Sequence, residues 1–302
     1  MRTVLLTGAS GYVASHLLAA APSGVVAELR CQSRKPIPDA GTASGDTAVT
    51  WTQAEVLDPA ACDALLSGVD VVVHLAAATG KVSARESFQA NVRTTQKLLE
   101  TCQTQGVGRF IYISSIAARY PLARYDHYAR SKRMAEVAVE QSGVPHTIVR
   151  PTIVIGPGAA VYKSLERLAR LPVVPVFGDG RVPVQPIWIG DLVARIWEIV
   201  QDSTAGDGVI ELGGRDVLTI EDLIRRIARL VRGSEPRVAH LPAGLLRATL
   251  GTLECCLRPL LPLTAGQLAA FVNDGTAREN ALPARQQAGM MGIDEMLRLA
   301  AD

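Results

Sequence analysis

Thr7-Gly8-Ala9-Ser10-Gly11-Tyr12-Val13-Ala14 decides how this chain is read. The octapeptide follows an apolar run over residues 3–7 and opens a helical pattern over residues 12–21. Gly8 lets a strand turn tightly into a helix. Gly11 lacks a Cβ, so backbone there can come close to a phosphate. Ala14 takes the place where many such loops carry a third glycine, and is still small enough for helix–strand packing. The helix start offers unpaired N–H groups and a positive dipole end to an anion. In this strand–turn–helix setting the loop predicts a dinucleotide phosphate site at Gly8, Ser10, Gly11, Tyr12 and Val13.

Outward from the loop, apolar runs at residues 25–32, 48–56, 69–75, 109–114 and 146–150 alternate with helical patterns at 83–105 and 126–142. That alternation predicts an α/β fold: a Rossmann-type doubly wound parallel sheet with helices on both faces. Ligands of such sheets bind beyond the carboxyl ends of the strands. After Pro151 the rhythm changes, and Pro157, Pro172, Pro175, Pro183 and Pro186 punctuate short segments. A helix over residues 191–201 is expected to return to the sheet. From about residue 207 the chain reads as two short strands and several helices. The expected division is a dinucleotide-binding domain at 1–155, rejoined by a helix at 191–203, and a smaller, mostly helical substrate region at 156–190 and 204–302.

Composition narrows the function classes. The chain has 302 residues, 48% of them apolar, with 20% charged and a net charge of +2. No basic excess points to nucleic acid. Cys31, Cys62, Cys102, Cys255 and Cys256 form no CxxC pair, and the five histidines lack metal-ligand spacing, so neither a disulfide framework nor a metal site is expected. A reducing, cytoplasmic setting fits this usage. The N-terminal apolar run is too short for a signal peptide. Residues 241–272 come nearest to a transmembrane segment, but Arg247, Glu254, Arg258 and several prolines interrupt them.

The second strand leads into Ser33-Arg34-Lys35, with no acid at its tip. A carboxylate there would suit the ribose hydroxyl of NAD, whereas an arginine suits the 2′-phosphate of NADP. NADP is therefore expected rather than NAD, held by Arg34 and Lys35. Farther on, Tyr128-Ala129-Arg130-Ser131-Lys132 opens a helical pattern and stacks Tyr128 and Lys132 on one face at i,i+4. A phenol ordinarily titrates near ~10. An adjacent ammonium favours its ionised form, which makes it a usable proton donor or acceptor. Ser114-Ser115 ends the strand before it, where a hydroxyl is positioned to orient a substrate oxygen.

Taken together, these pieces resemble the short-chain dehydrogenase/reductase superfamily, in its extended or atypical branch of epimerase/dehydratase-like proteins. The motifs are residues 7–14, Glu55-Val56, His74-Leu75-Ala76-Ala77, Asn91, Ser114-Ser115, residues 128–132 and Arg150-Pro151-Thr152. The resemblance implies Ser115, Tyr128 and Lys132 as the catalytic set, with Ser115 a better match than Ser114. It implies that Glu55 and Val56 meet adenine, although the family usually carries Asp at position 55. Ala76, Ala77 and Ala78 would pass under the ribose and pyrophosphate. Asn91 would support Lys132, and Pro151 and Ile153 would flank the nicotinamide. Thr79, Ser115, Arg181 and Gln185 fall on the substrate side. Relatives often dimerise through the helices carrying Asn91 and Tyr128, which makes a homodimer an expectation. His74, inside an apolar strand, reads as structural, and Cys255-Cys256 as packing.

Residues 150–157, 171–191 and 262–268 are also similar to bacterial relatives of the nucleotide-binding accessory subunit of respiratory complex I, which bind NADPH. Arg181 lacks the basic partners that a sugar diphosphate requires, and residues 243–261 are rich in leucine. An apolar ketone or alcohol is therefore the expected substrate. Two alternatives stand beside it. One is a sugar-nucleotide epimerase or dehydratase that returns its hydride within one cycle. The other is a non-catalytic NADPH-binding accessory protein.

Overall fold

A computed structural model describes residues 1–36, 47–80, 82–121, 126–202, 207–242, 269, 271–278 and 288–301. The apolar stretch at 243–261 and the motif at 262–268 lie outside the described residues.

The first elements are β1 (Arg2–Thr7), α1 (Tyr12–Ala19), β2 (Val26–Ser33), β3 (Ala48–Gln53), α2 (Pro59–Leu66) and β4 (Val71–His74). They are followed by α3 (Ala84–Phe88), a π-helical turn (Gln89–Arg93), α4 (Thr94–Gln105), β5 (Arg109–Ile113), a 3₁₀ turn (Ile116–Arg119), α5 (His127–Glu140) and β6 (His146–Pro151). Beyond them come β7 (Val154–Ile155), α6 (Ala160–Ala169), β8 (Val173–Phe177), β9 (Pro183–Val184), β10 (Ile187–Trp188) and α7 (Ile189–Gln201). Last are β11 (Gly208–Leu212), β12 (Leu218–Thr219), α8 (Ile220–Arg232), β13 (Arg237–Leu241) and the helix Ile293–Ala301.

One seven-stranded sheet has the order β11-β6-β5-β4-β1-β2-β3. Every pairing from β3 through β6 is parallel. This is the Rossmann-type arrangement expected from the sequence. Strand order reverses at β1, which pairs with both β2 and β4. The glycine loop therefore leaves β1 at the topological switch point, where doubly wound sheets bind ligands. Strands buried on both faces read as continuous apolar runs: Val4, Leu5 and Leu6 in β1 and Val72 and Val73 in β4 are all fully buried. Leu5, Leu66, Leu98, Phe110, Tyr112 and Ile148 belong to one core cluster with Ala135 and Val139 of α5.

Several boundaries differ from the sequence reading. β3 ends at Gln53 rather than at residue 56, because the Ala54 N–H turns back to Ser33 O and a Glu55–Asp58 turn follows. α2 was not anticipated. It is only eight residues long, but Asp58 caps it through the Ala61 N–H, and a proline stands in its first turn. α6 was likewise hidden among the prolines. The helix expected over residues 83–105 forms, but with a π-helical turn inside it. Beyond residue 207 the described residues contain three strands, not two, and β11 joins the main sheet.

The chain forms two compact units. The first comprises Met1–Ser115, Ser131–Arg150 and Leu192–Ile210. The second comprises Ile116–Arg130, Pro151–Asp191 and Glu211–Asp302. In the second, three short strand pairs form: β7 with β10, β9 with β12 and β8 with β13. α8 of that unit is strongly amphipathic, burying Ile220, Leu223, Ile224 and Ile227 while Thr219 caps its start. No described helix is long and apolar enough to cross a membrane.

Candidate active site

Gly8 adopts φ +67°, and a Cβ built on it lies 2.7 Å from the Ala76 Cα. Only glycine fits there, because the left-handed conformation and the close approach act together. The loop is held from the second strand. The Gly8 N–H donates to Gln32 Oε1 (3.1 Å), the Ala9 N–H to Gln32 O (2.8 Å), and Gln32 Nε2 donates to Ala54 O (2.7 Å). Gln32 was not singled out in the sequence; its signal is a fully buried amide at the end of an apolar strand. Gly11 caps α1 without any side-chain hydrogen bond. The N–H groups of Tyr12, Val13 and Ala14 come before the first intrahelical bond, which Ser15 makes to Gly11 O. A Cβ on Gly11 would meet nothing but Gly8 O. An uncapped helix start beside an open glycine fits the pyrophosphate of a dinucleotide.

The neighbouring groups are placed as follows. Ser10 is exposed and its Oγ accepts from Ser33 Oγ (3.0 Å). Arg34 and Lys35 are exposed, and neither pairs with an acid among the described residues. Glu55 is exposed and Val56 is buried. Ala76, Ala77 and Ala78 leave the end of β4 half-buried, and Thr79 is exposed. Pro151 is buried at the end of β6, and Ile153 is half-buried.

A buried relay ties this segment down. Thr95 gives its hydroxyl proton to Asn91 O (2.7 Å). It must therefore accept from His74 Nε2 (2.9 Å), which leaves Nδ1 to accept from the Thr7 hydroxyl (2.6 Å). Burial pushes the His74 imidazole down to about 3, with a smaller push from the Lys132 ammonium, so the ring is neutral. His74 is thus a satisfied structural residue. Asn91, in the π-helical turn, accepts the Ala78 N–H (2.7 Å) and donates to Ser131 Oγ (2.8 Å) and Ala78 O (3.3 Å). It reaches α5 at Ser131, the residue before Lys132, and not at Lys132 itself. π-helical turns recur at functional sites because the extra residue re-aims one side chain.

Asp126 caps α5 through the Ala129 N–H (2.9 Å). The helix carries half-buried Tyr128 and, four residues on, fully buried Lys132. Lys132 Nζ donates to Ile113 O (2.8 Å) and lies 4.7 Å from the centroid of the Tyr112 ring. Burial brings the Lys132 ammonium down to about 7, opposed by the nearby Glu136 carboxylate. Between that value and the ordinary lysine range near ~10.5 the unfolded chain binds more protons than the folded one, so stability rises with pH across this window. Below about 7 the folded state carries a buried ammonium. Lys132→Met should therefore gain thermal stability relative to the parent at pH 6 and lose much of that advantage by pH 9. Scanning fluorimetry across this range measures it; parallel Tm profiles for the two proteins would refute the burial argument.

Ser114 and Ser115 end up in different environments. Ser114 is buried, with its hydroxyl donated to Glu136 Oε1 (2.6 Å), whereas Ser115 is half-buried. Glu136 also takes two hydrogen bonds from Arg150 (2.9 and 2.7 Å). In the second unit Arg181 is exposed. Gln185 is buried, and its amide donates to Gly214 O (2.7 Å) and accepts the Ala277 N–H (3.0 Å).

With this geometry in hand, similarity to known proteins can be read. Residues 4–213 match the model of the NAD dependent epimerase/dehydratase family. A divinyl chlorophyllide a 8-vinyl-reductase of Oryza sativa subsp. indica is 27% identical over 278 residues, covering 83% of this chain and 64% of the relative. A mitochondrial NADH dehydrogenase 1 alpha subcomplex subunit 9 of Arabidopsis thaliana is 25% identical, covering 72% of this chain and 56% of the relative. The chain thus spans less than two thirds of the length of these curated relatives. The structure of MoeE5 in complex with UDP-glucuronic acid and NAD superposes with a TM-score of 0.69 at 21% identity, over 98% of this chain and 97% of that one.

Proposed function

The chain belongs to the NAD dependent epimerase/dehydratase family, in the extended short-chain dehydrogenase/reductase superfamily, and from that premise we propose an NADP(H)-dependent oxidoreductase acting on the carbonyl or alcohol of a small, apolar substrate. One observation carries the reading: Lys132 is buried on α5, four residues after Tyr128, beyond the carboxyl end of β5. When bound, the nicotinamide supplies or accepts the hydride.

This chain's own residues do the rest. The N–H groups at the start of α1 bind the pyrophosphate, with Ser10 beside them. Val56 and Glu55 border the adenine, and Ala76, Ala77 and Ala78 lie along the ribose and pyrophosphate. Asn91 fixes that segment through Ala78. Tyr128 holds the proton that passes to or from the substrate oxygen, and the Lys132 ammonium lowers the cost of its phenolate. The Ser115 hydroxyl orients the same oxygen, and Pro151 and Ile153 flank the ring. Thr79 and Arg181 border the substrate. Its apolar character rests on the leucine-rich residues 243–261 and on the reductase named among the relatives.

The NADP preference rests on exposed Arg34 and Lys35 at the tip of β2, where no acid stands. Arg34→Asp should shift the NADPH:NADH ratio of kcat/KM toward NADH by roughly tenfold or more, since it removes a charge-assisted phosphate contact. An unchanged ratio would remove the argument for NADP.

A second reading draws on the family's description and on the sugar-nucleotide complex of its fold neighbour. An epimerase or dehydratase would retain cofactor through purification and show no net NADPH consumption. Mass spectrometry of the purified protein, alongside an NADPH-oxidation screen of apolar ketones, separates the two readings.

A further inference from the structure

Glu136 is a buried carboxyl group of the first unit, with a side chain only 3% exposed. It sits one helical turn past Lys132 on α5 and accepts from both Ser114 and Arg150. Ser114 is clasped twice, because its N–H also donates to Val149 O (2.7 Å). The residue next to it is Ser115. Arg150 is the next-to-last residue of β6, so one carboxylate ties together α5, the exit of β5 and the end of β6. A buried pair of this kind gives little net stability, since desolvation offsets the attraction. What it provides is fixed geometry and a fixed charge.

We propose that Glu136 is a positioning residue for the reaction: by holding Ser114 and Arg150 it sets the backbone that presents Ser115, and it sets a carboxylate one helical turn from Lys132 on α5. The inference rests on the proton-relay reading above. The groups around Lys132 leave Glu136 this task. From β5, Tyr112 offers its ring face and Ile113 a carbonyl oxygen. From β4, His74 is neutral. From the π-helical turn, Asn91 reaches only Ser131. On α5 itself Tyr128 stands one turn before Lys132 and Glu136 one turn after. From β6, Arg150 is a cation, already engaged by Glu136.

The test reads Lys132 directly, without cofactor or turnover. The chain has five lysines, Lys35, Lys81, Lys97, Lys132 and Lys163. Protein carrying lysine labelled with ¹³C at Cε gives few NMR signals, and Lys132→Met assigns the one of interest. Glu136→Gln should lower the Lys132 midpoint by about one pH unit or more. The alkaline limb of its kcat profile should move the same way. Ser114→Ala keeps both charges; its midpoint should stay at the parental value, while kcat falls by roughly tenfold or more through misplacement of Ser115. If Glu136→Gln does not fold, Glu136→Gln combined with Arg150→Met is titrated against Arg150→Met as its parent, so that only the Glu136 charge differs between the two. A folded variant whose Lys132 midpoint equals that of the parent overturns the proposal. A lowered midpoint together with full turnover in Tyr128→Phe supports the electrostatic link and overturns the proton-relay reading instead.

Discussion

Tyr128→Phe is expected to lower turnover by roughly 10²–10⁴-fold, the range that a positioned general acid–base contributes. NADPH affinity should stay within about twofold, because the residues proposed to bind the cofactor are untouched; discrimination this small is under ~0.5 kcal/mol. The change deletes one oxygen from a half-buried side chain, so the fold should be unaffected. The assay is steady-state reduction of whichever carbonyl the wild-type protein accepts, with binding followed by NADPH fluorescence. Full turnover in the variant would assign the proton transfer to another group. Lys132→Ala should damage both turnover and binding, since that ammonium is proposed to serve the phenol and the cofactor together.

The second large effect is at the loop. Gly8→Val should abolish NADPH binding and lower Tm, for two reasons that add. A β-branched residue at φ +67° costs on the order of 1–2 kcal/mol from backbone strain alone. Its Cβ would also overlap the Ala76 backbone, which has no rotamer with which to move aside. Gly11→Ala is the informative partner. Gly11 has φ −80°, which any residue adopts, and its Cβ would meet only Gly8 O. That contact is at 3.0 Å, so Gly8 O must give by a few tenths of an ångström and Tm should fall far less than in Gly8→Val, while affinity drops because the methyl group stands where a pyrophosphate is proposed to come close. Calorimetric titration and thermal melts separate the two outcomes. Equal affinities for Gly11→Ala and the parent would mean that the dinucleotide lies elsewhere.

Much of this was legible in the residues, for a physical reason: the signals are local. A glycine that must turn, a helix start that must stay uncapped and an i,i+4 pair are written within a few consecutive positions. The doubly wound parallel class of the sheet follows from the alternation of apolar runs and helical patterns. What stayed hidden depends on register between distant segments. Nothing near Glu136 announces that it meets Ser114 and Arg150, 22 and 14 residues away in sequence. Asn91 could be singled out but not its true partner, since Ser131 lies 40 residues on. The family resemblance set Gln185 on the substrate side, and only the fold shows its amide hydrogen-bonded to the backbone of Gly214 and Ala277. Short α2 buries only Cys62, Leu65 and Leu66, too few to set a period. The π-helical turn was invisible because one inserted residue scarcely disturbs the apolar rhythm of the long helix around it.

Tracking deuterium is the most direct measurement of the central claim. The protein is supplied with NADPH carrying deuterium at both positions of the nicotinamide C4 and a panel of apolar ketones and aldehydes, and the products are weighed by mass spectrometry. The account predicts deuterium on the carbinol carbon of an alcohol made by the wild-type protein, and roughly 10²–10⁴-fold less of that alcohol from Tyr128→Phe. Cofactor that binds tightly yet keeps its label with every carbonyl would contradict it.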